Sequence, residues 1–224
     1  MKEAAIVLAA YFIGSVPMAY ILGLAVKRID IRRYGSGNVG ASNAWVHVGK
    51  WTVVPVTAFD ILVKGSLTVY LAQQLSASLW IPVMAGLAAV AGHNWSGYIK
   101  FTGGRGISVV LGVLLVLAFK EMLAAGLVVV AGWIIFRSSA LWVGIGVMTL
   151  PVWSVLFGAP ERVTVLCIGV IILLALKRLL SNRDLPALGG GGWRTYLHRL
   201  LYDRDVSSRD EWVQRTPGEM QEDG

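Results

Sequence analysis

The sequence predicts an all-α membrane protein, a polytopic bundle of about seven transmembrane helices with its N-terminus outside and its C-terminus cytoplasmic. Three observations carry that reading. Of the 224 residues, 56% are hydrophobic and only 15% charged, whereas a soluble domain of this size is nearer a quarter charged. Seven apolar runs succeed one another, broken by charges and by glycine or proline. Basic residues gather in alternate breaks. Each span needs roughly 20 apolar residues, so the length holds one bundle and a tail, with little left for a second domain.

The runs, in order, cover residues 4–26, 51–72, 79–91, 107–119, 122–136, 140–157 and 163–176. The first lacks a strong basic leader and a convincing small-residue cleavage site, so it is expected to remain as the first span. Several runs fall short of a full span, and charge decides whether 107–119 is separate from 122–136. Lys27, Arg28, Arg32, Arg33, Lys50, Lys100, Arg105, Arg137, Lys177, Arg178 and Arg183 fall in alternate loops or the tail. The intervening loops hold only Lys120 with Glu121, and Glu161 with Arg162. Two spans within 107–136 keep Arg105 and Arg137 on one side, which the positive-inside rule makes cytoplasmic. The net charge of +7 is this bias, and no basic and aromatic module calls for nucleic acid. Cys167, alone and inside an apolar run, reads as a small hydrophobe.

Residues 1–184 form the predicted bundle. Pro186 and four consecutive glycines mark 185–192 as a linker,. Within the cytoplasmic tail 193–224, Trp193, Tyr196, Leu197, Leu200 and Leu201 recur at helical spacing opposite Arg194, His198 and Arg199. That amphipathic helix either lies in the membrane interface or packs on the bundle, since both need one apolar stripe. Beyond Asp205 the chain is polar and expected to be disordered.

Two glycine-rich loops on the basic side hold the candidate chemistry. The first runs from Gly35 through Ser36, Gly37, Asn38, Gly40 and Ser42 to Asn43. Glycine removes the Cβ that would block an approaching anion and permits positive φ. Its G-x-G-x-x-G spacing lacks the strand and βαβ unit of a dinucleotide fold. The second runs from His93 to Lys100 and then Gly103-Gly104-Arg105-Gly106, directly before the apolar run at Ile107. A turn that opens a helix aims N–H groups and the positive dipole end at one place, and Arg105 and Lys100 add full charge. The same cations also serve topology, and both roles stand. Asp60 and Lys64, spaced i, i+4 inside the second run, can pair, which lessens the cost of charge in hydrocarbon. Ser138 and Ser139 follow Arg137, as helix caps or phosphate contacts. His93 is a candidate base or a hydrogen-bonding residue. No metal-ligand cluster is apparent.

At these residues the chain resembles the PlsY family, the bacterial acyl-phosphate-dependent glycerol-3-phosphate acyltransferases. The resemblance spans about residues 5–184 and rests on motifs in fixed order. They are Tyr11 to Pro17, Asp30-Ile31-Arg32, the loop from Gly35 to Asn43 with Gly49-Lys50, and Asp60 with Lys64-Gly65. Gly92-His93, Phe101 to Gly106, and Arg137 to Leu141 complete the series. The resemblance implies transfer of a fatty acyl group from acyl phosphate to glycerol 3-phosphate, giving lysophosphatidate in phospholipid biosynthesis. It places the enzyme in the bacterial inner membrane with its active site facing the cytoplasm, and implies no cofactor and no metal. It assigns His93, Ser139, Asp60 and Lys64 to catalysis. Substrate binding goes to Ser36, Gly37, Asn38, Gly40, Ser42, Asn43, Lys100, Gly103, Gly104, Arg105 and Gly106. The chain departs from the family pattern at Val46 for arginine, Ile172 for histidine, Ala175 for asparagine and Arg105 for lysine. A catalytically silent or retargeted homologue binding lipid phosphates or a protein partner, and a small transporter, are the competing readings. No G-x-S-x-G elbow supplies a nucleophile, so acyl transfer is expected to be direct.

Overall fold

The computed structural model describes residues 1–180, 193–203 and 216. The predicted linker 185–192 and nearly all of the tail beyond Asp203 lie outside the described residues. Those described are helical, with no strand among them. We number the helices α1 (Lys2–Lys27), α2 (Ala41–His47), α3 (Lys50–Leu75), α4 (Ile81–Asn94), α5 (Ile107–Leu117), α6 (Phe119–Phe136), α7 (Ser139–Leu156), α8 (Glu161–Leu180) and α9 (Trp193–Tyr202).

Each apolar run becomes one helix, and the chain is an all-α membrane protein. Five helices, α1, α3, α6, α7 and α8, are long and apolar enough to cross a bilayer. The other two are shorter than the expected spans. At 14 and 11 residues, α4 and α5 reach only about 21 and 16 Å, against a hydrocarbon core of roughly 30 Å. They are also the innermost, with Ala85, Ala89, Val90, Val109 and Val113 fully buried. Between α5 and α6 the backbone breaks at Ala118, with φ −150° and ψ 52°. Arg105 and Arg137 line one cavity, so α5 and α6 leave one face of the bundle and return to it.

Small residues let these helices touch. Lipid tails are as apolar as leucine, so helices in a membrane associate through close packing and hydrogen bonds. Where α1 crosses α4, a Cβ on Gly14 would lie 2.7 Å from the Ala89 Cα. Where α3 crosses α5, a Cβ on Gly65 would meet the Gly112 Cα and the Val109 carbonyl at 2.6 Å. Ser66 fastens that crossing, its hydroxyl donating to the Gly112 carbonyl at 3.0 Å.

Over Phe59–Leu67, α3 widens into a π-helix, a form often found at functional sites. This stretch carries Asp60 and Lys64. Thr68 Oγ1, just beyond it, donates to the Val63 carbonyl at 3.0 Å, five residues back.

Candidate active site

The first glycine loop is built by its own side chains. Asp30 caps the 3₁₀ turn Ile31–Arg33, accepting from the Arg32 amide at 3.1 Å and from Arg32 Nε at 2.9 Å. The hydrogen-bonded Arg32 guanidinium holds the Asp30 carboxyl below its ordinary value, against the opposing effect of burial,. Gly35 and Gly37 then take left-handed backbone, φ 52° and 67°, which residues with a Cβ rarely adopt. Asn43, one turn into α2, donates its amide to the carbonyls of Ile31, Tyr34 and Asn38 at 3.0 to 3.1 Å. That nitrogen closes the loop and is not available to a substrate.

The second loop folds around the end of α4. Ser96 Oγ donates to the Ser15 carbonyl at 2.6 Å, and the Gly104 amide donates to the His93 carbonyl at 3.0 Å. Lys177 of α8 donates to the Asn94 carbonyl at 2.6 Å, placing a cation at the negative end of α4. The two loops are joined directly. The Val39 amide donates to the Gly103 carbonyl at 3.0 Å, and Arg32 Nη1 donates to the Ile99 carbonyl at 3.3 Å.

Between the loops and the first turns of α5 and α7 lies a cavity of about 930 Å³. Of the residues picked from sequence, Ser36, Asn38, Gly40, Ser42, Asn43, Asp60, His93, Arg105, Gly106 and Ser139 form its wall. Gly40 is open, with nothing within 4 Å of where its Cβ would stand. Gly106 begins α5 at φ 77°. Gly37, Lys64, Lys100, Gly103 and Gly104 are not on the wall. Lys100 is exposed at a left-handed position beside Phe101. A Cβ on Gly103 would strike the His93 and Asn94 carbonyls, and one on Gly104 the His93 ring. Their smallness therefore admits the end of α4 rather than an anion.

Two of these wall residues, Asp60 and His93, form one buried cluster with Lys64 behind them. Lys64 Nζ lies 2.7 Å from Asp60 Oδ1, a charge-to-charge contact off the axis of a hydrogen bond. The same ammonium is 3.2 Å from His93 Nδ1. All three residues are at most 6% exposed. An ammonium has no acceptor, so a charged Lys64 makes Nδ1 the acceptor and leaves the imidazole proton on Nε2. That nitrogen sits beside Gly104 and the Val39 carbonyl, where the two loops meet.

Arg178, Ser108 and the end of α9 also line the cavity and were not picked as site residues from sequence. Arg178 Nη2 donates to the Ala140 carbonyl at 3.0 Å, in the first turn of α7. Ser138, which precedes α7, makes no side-chain capping bond, so the cap reading of that serine is not met. Two helix N-termini, α5 with Arg105 and α7 with Arg137, thus face one space, and each presents the positive end of a dipole. Val46 is on the wall. Ile172 is 52% exposed on the outer side of α8, so a histidine there would not reach the cavity. Among the described residues, no three His, Cys, Asp or Glu side chains gather in a metal-binding group.

The family model for glycerol-3-phosphate acyltransferase matches residues 4–183. Glycerol-3-phosphate acyltransferase 5 of Dehalococcoides mccartyi is 37% identical over 222 residues, covering 96% of this chain and 94% of that protein. The glycerol-3-phosphate acyltransferase of Halalkalibacterium halodurans is 36% identical, covering 80% and 92%. Two crystal structures of PlsY, an integral membrane glycerol 3-phosphate acyltransferase, share the fold. Its glycerol 3-phosphate form has a TM-score of 0.71 at 27% identity, covering 82% of this chain and 90% of that one. Its lysophosphatidic acid form gives 0.70 at 26%, covering 82% and 89%.

Proposed function

The chain belongs to the glycerol-3-phosphate acyltransferase family, and from that premise we propose that its cavity holds an acyl phosphate beside glycerol 3-phosphate. It is a membrane acyltransferase of phospholipid biosynthesis.

The observation that carries it is the convergence of the α5 and α7 N-termini, with Arg105, Arg137 and Arg178, on one cavity. Two phosphates must lie close together for this reaction, and their repulsion is offset by two dipole ends and three guanidiniums. The α5 turn at Arg105, Gly106 and Ser108 takes one phosphate. Ser36 and Asn38 of the first loop, with Ser139, take the other. Trp45, Val46, Val53 and Val143 offer the apolar wall that an acyl chain requires.

In the transfer, the 1-hydroxyl oxygen of glycerol 3-phosphate bonds to the acyl carbon and the bond from that carbon to the phosphate oxygen breaks. Inorganic phosphate leaves with the electron pair. The hydroxyl proton passes to a phosphate oxygen, so no protein nucleophile is needed. His93, with its proton held on Nε2 by Lys64, donates toward the reacting oxygens instead of taking the proton. Asp60, 2.7 Å from Lys64 Nζ, holds that side chain in place. Holding both substrates at attack distance supplies much of the rate.

The basic residues that flank the cavity, Arg105, Arg137 and Arg178 among them, support a cytoplasmic facing in the inner membrane. The same charge pattern supports seven crossings, with α4 and α5 as the short pair. The test is purified protein in detergent with acyl phosphate, scored for phosphate release and lysophosphatidate. Release that depends on glycerol 3-phosphate is expected. Transfer from an acyl thioester but not from acyl phosphate would overturn the donor.

A further inference from the structure

The tail closes on the cavity. Asp203 follows α9 in left-handed backbone, φ 61°, and its amide donates to the Arg199 carbonyl at 3.0 Å. Aspartate tolerates that conformation better than most residues. The turn brings its carboxylate to the cavity wall. Asp203 Oδ2 forms an ion pair with Arg105 Nη1, which also donates to the Asp203 carbonyl at 2.6 Å. Arg178 Nε lies 3.8 Å from Asp203 Oδ1, and its Nη1 donates to the Leu200 carbonyl at 2.7 Å. The family match ends at residue 183, before this segment.

We propose that Asp203 is an internal competitor for the Arg105 and Arg178 anion seat, a carboxylate occupying the place of a substrate phosphate. This rests on the reading of Arg105 as a phosphate ligand. Three observations argue for it. A carboxylate and a phosphate present the same paired oxygens to a guanidinium fork. Asp203 fills the seat incompletely, because its buried Oδ1 has no hydrogen bond, whereas a phosphate brings further oxygens to the same two arginines. The helix that carries Asp203 is held by polar contacts, among them Arg199 Nη1 donating to the Leu179 carbonyl at 3.2 Å. Trp193, Tyr196 and Leu197 of α9 remain exposed, so releasing it uncovers little apolar surface. The helix packs on the bundle through charge and leaves its apolar stripe outward.

Substrate phosphate and Asp203 then exclude one another. The apparent affinity for phosphate falls by the fraction of molecules in which the tail is docked. The test uses the full-length protein in detergent and the substitutions Asp203→Asn and Asp203→Gly, which keep the left-handed turn and remove the charge. Calorimetric titration with inorganic phosphate is expected to show roughly three- to tenfold tighter binding in both. KM for the phosphate substrates falls in parallel, with kcat within about twofold of the parent. Inorganic phosphate speeds hydrogen exchange over residues 193–203 in the parent, while Asp203→Asn exchanges fast without it. Unchanged or weaker phosphate binding in both variants, with α9 exchange indifferent to phosphate, overturns the proposal. If the parent binds phosphate in this Asp203-dependent way yet transfers no acyl group, the competitor stands and the acyl-phosphate reading fails.

Discussion

Gly104→Ala separates two accounts of the second glycine loop. If Gly104 is small so that an anion can reach the backbone, its Cβ blocks substrate and nothing else. The geometry gives a different answer. The added Cβ would lie 2.8 Å from both His93 Cε1 and the Val39 carbonyl, and nearer still to Nε2, whereas ordinary contacts begin at 3.4 Å. The imidazole must therefore retreat by more than half an ångström, and His93 is only 6% exposed, with Lys64 against its other nitrogen. Overpacking of this kind costs about 1–3 kcal/mol. Displacing a reacting group by about 1 Å costs on the order of a hundredfold in rate.

A double-mutant cycle with His93→Ala decides between the accounts. Removing the ring relieves the closest of these clashes and leaves the Val39 carbonyl at 2.8 Å. If Gly104 exists to seat His93, the double variant is only slightly slower than His93→Ala alone, and the rate effects are strongly non-additive. If Gly104 exists to admit an anion, the two losses multiply. Acyl transfer in detergent gives the rates, and thermal unfolding reports the packing cost. Gly40→Ala is the comparison, because its Cβ meets nothing; it is expected to keep full stability. Multiplicative losses, or a Gly104→Ala enzyme within threefold of the parent, would refute the seating argument.

Three further outcomes follow from burial and facing. Lys64→Met removes the ammonium 2.7 Å from the buried Asp60 carboxylate and is expected to cost about 3–5 kcal/mol, whereas Lys64→Met with Asp60→Asn recovers most of the melting temperature but not the activity. Val46→Arg places a guanidinium on the cavity wall and is expected to lower KM for glycerol 3-phosphate about tenfold, while Ile172→His, on the exposed side of α8, changes neither KM nor kcat. A cysteine in place of Arg162 is expected to react with an impermeant maleimide in whole cells; reaction only after the membrane is opened would reverse the orientation.

The helices were legible because an apolar run in a membrane protein needs no tertiary information to declare itself. A break between α5 and α6 was legible from the parity of Arg105 and Arg137, but it was expected at Lys120 and Glu121, which lie in the first turn of α6, and falls at Ala118. The site was legible in part. Asp60 and Lys64 announced themselves as a pair by spacing, but their closure on His93, 29 residues on, belongs to the crossing of α3 and α4. Gly103 and Gly104 read the same in sequence whether they face an anion or a helix end. Asn43 looked like a ligand because a polar amide in a glycine loop gives no sign that three carbonyls already hold it. Arg178 was hidden by its other duty, since a basic residue ending a span is also what topology demands. The outward facing of Ile172 was available in principle. Six residues at about 100° each set it roughly 120° around α8 from Arg178.

The shortness of α4 and α5 brings a buried pair of helix ends to the proposed anion site, beside the N-terminus of α7. A helix end that reaches water has its dipole charge screened. Here α4 stops at Asn94, whose side chain and carbonyl are buried, and α5 starts only at Ile107, after a loop packed against that stop. One negative and one positive helix end are thereby brought into the protein side by side. They are treated oppositely: Lys177 is fixed on the Asn94 carbonyl, and the start of α5 keeps Arg105 on the cavity. Because the α4 end is already neutralised, the field left in the cavity is positive, and any anion in reach, whether a substrate phosphate or the chain's own Asp203, is drawn to the same place.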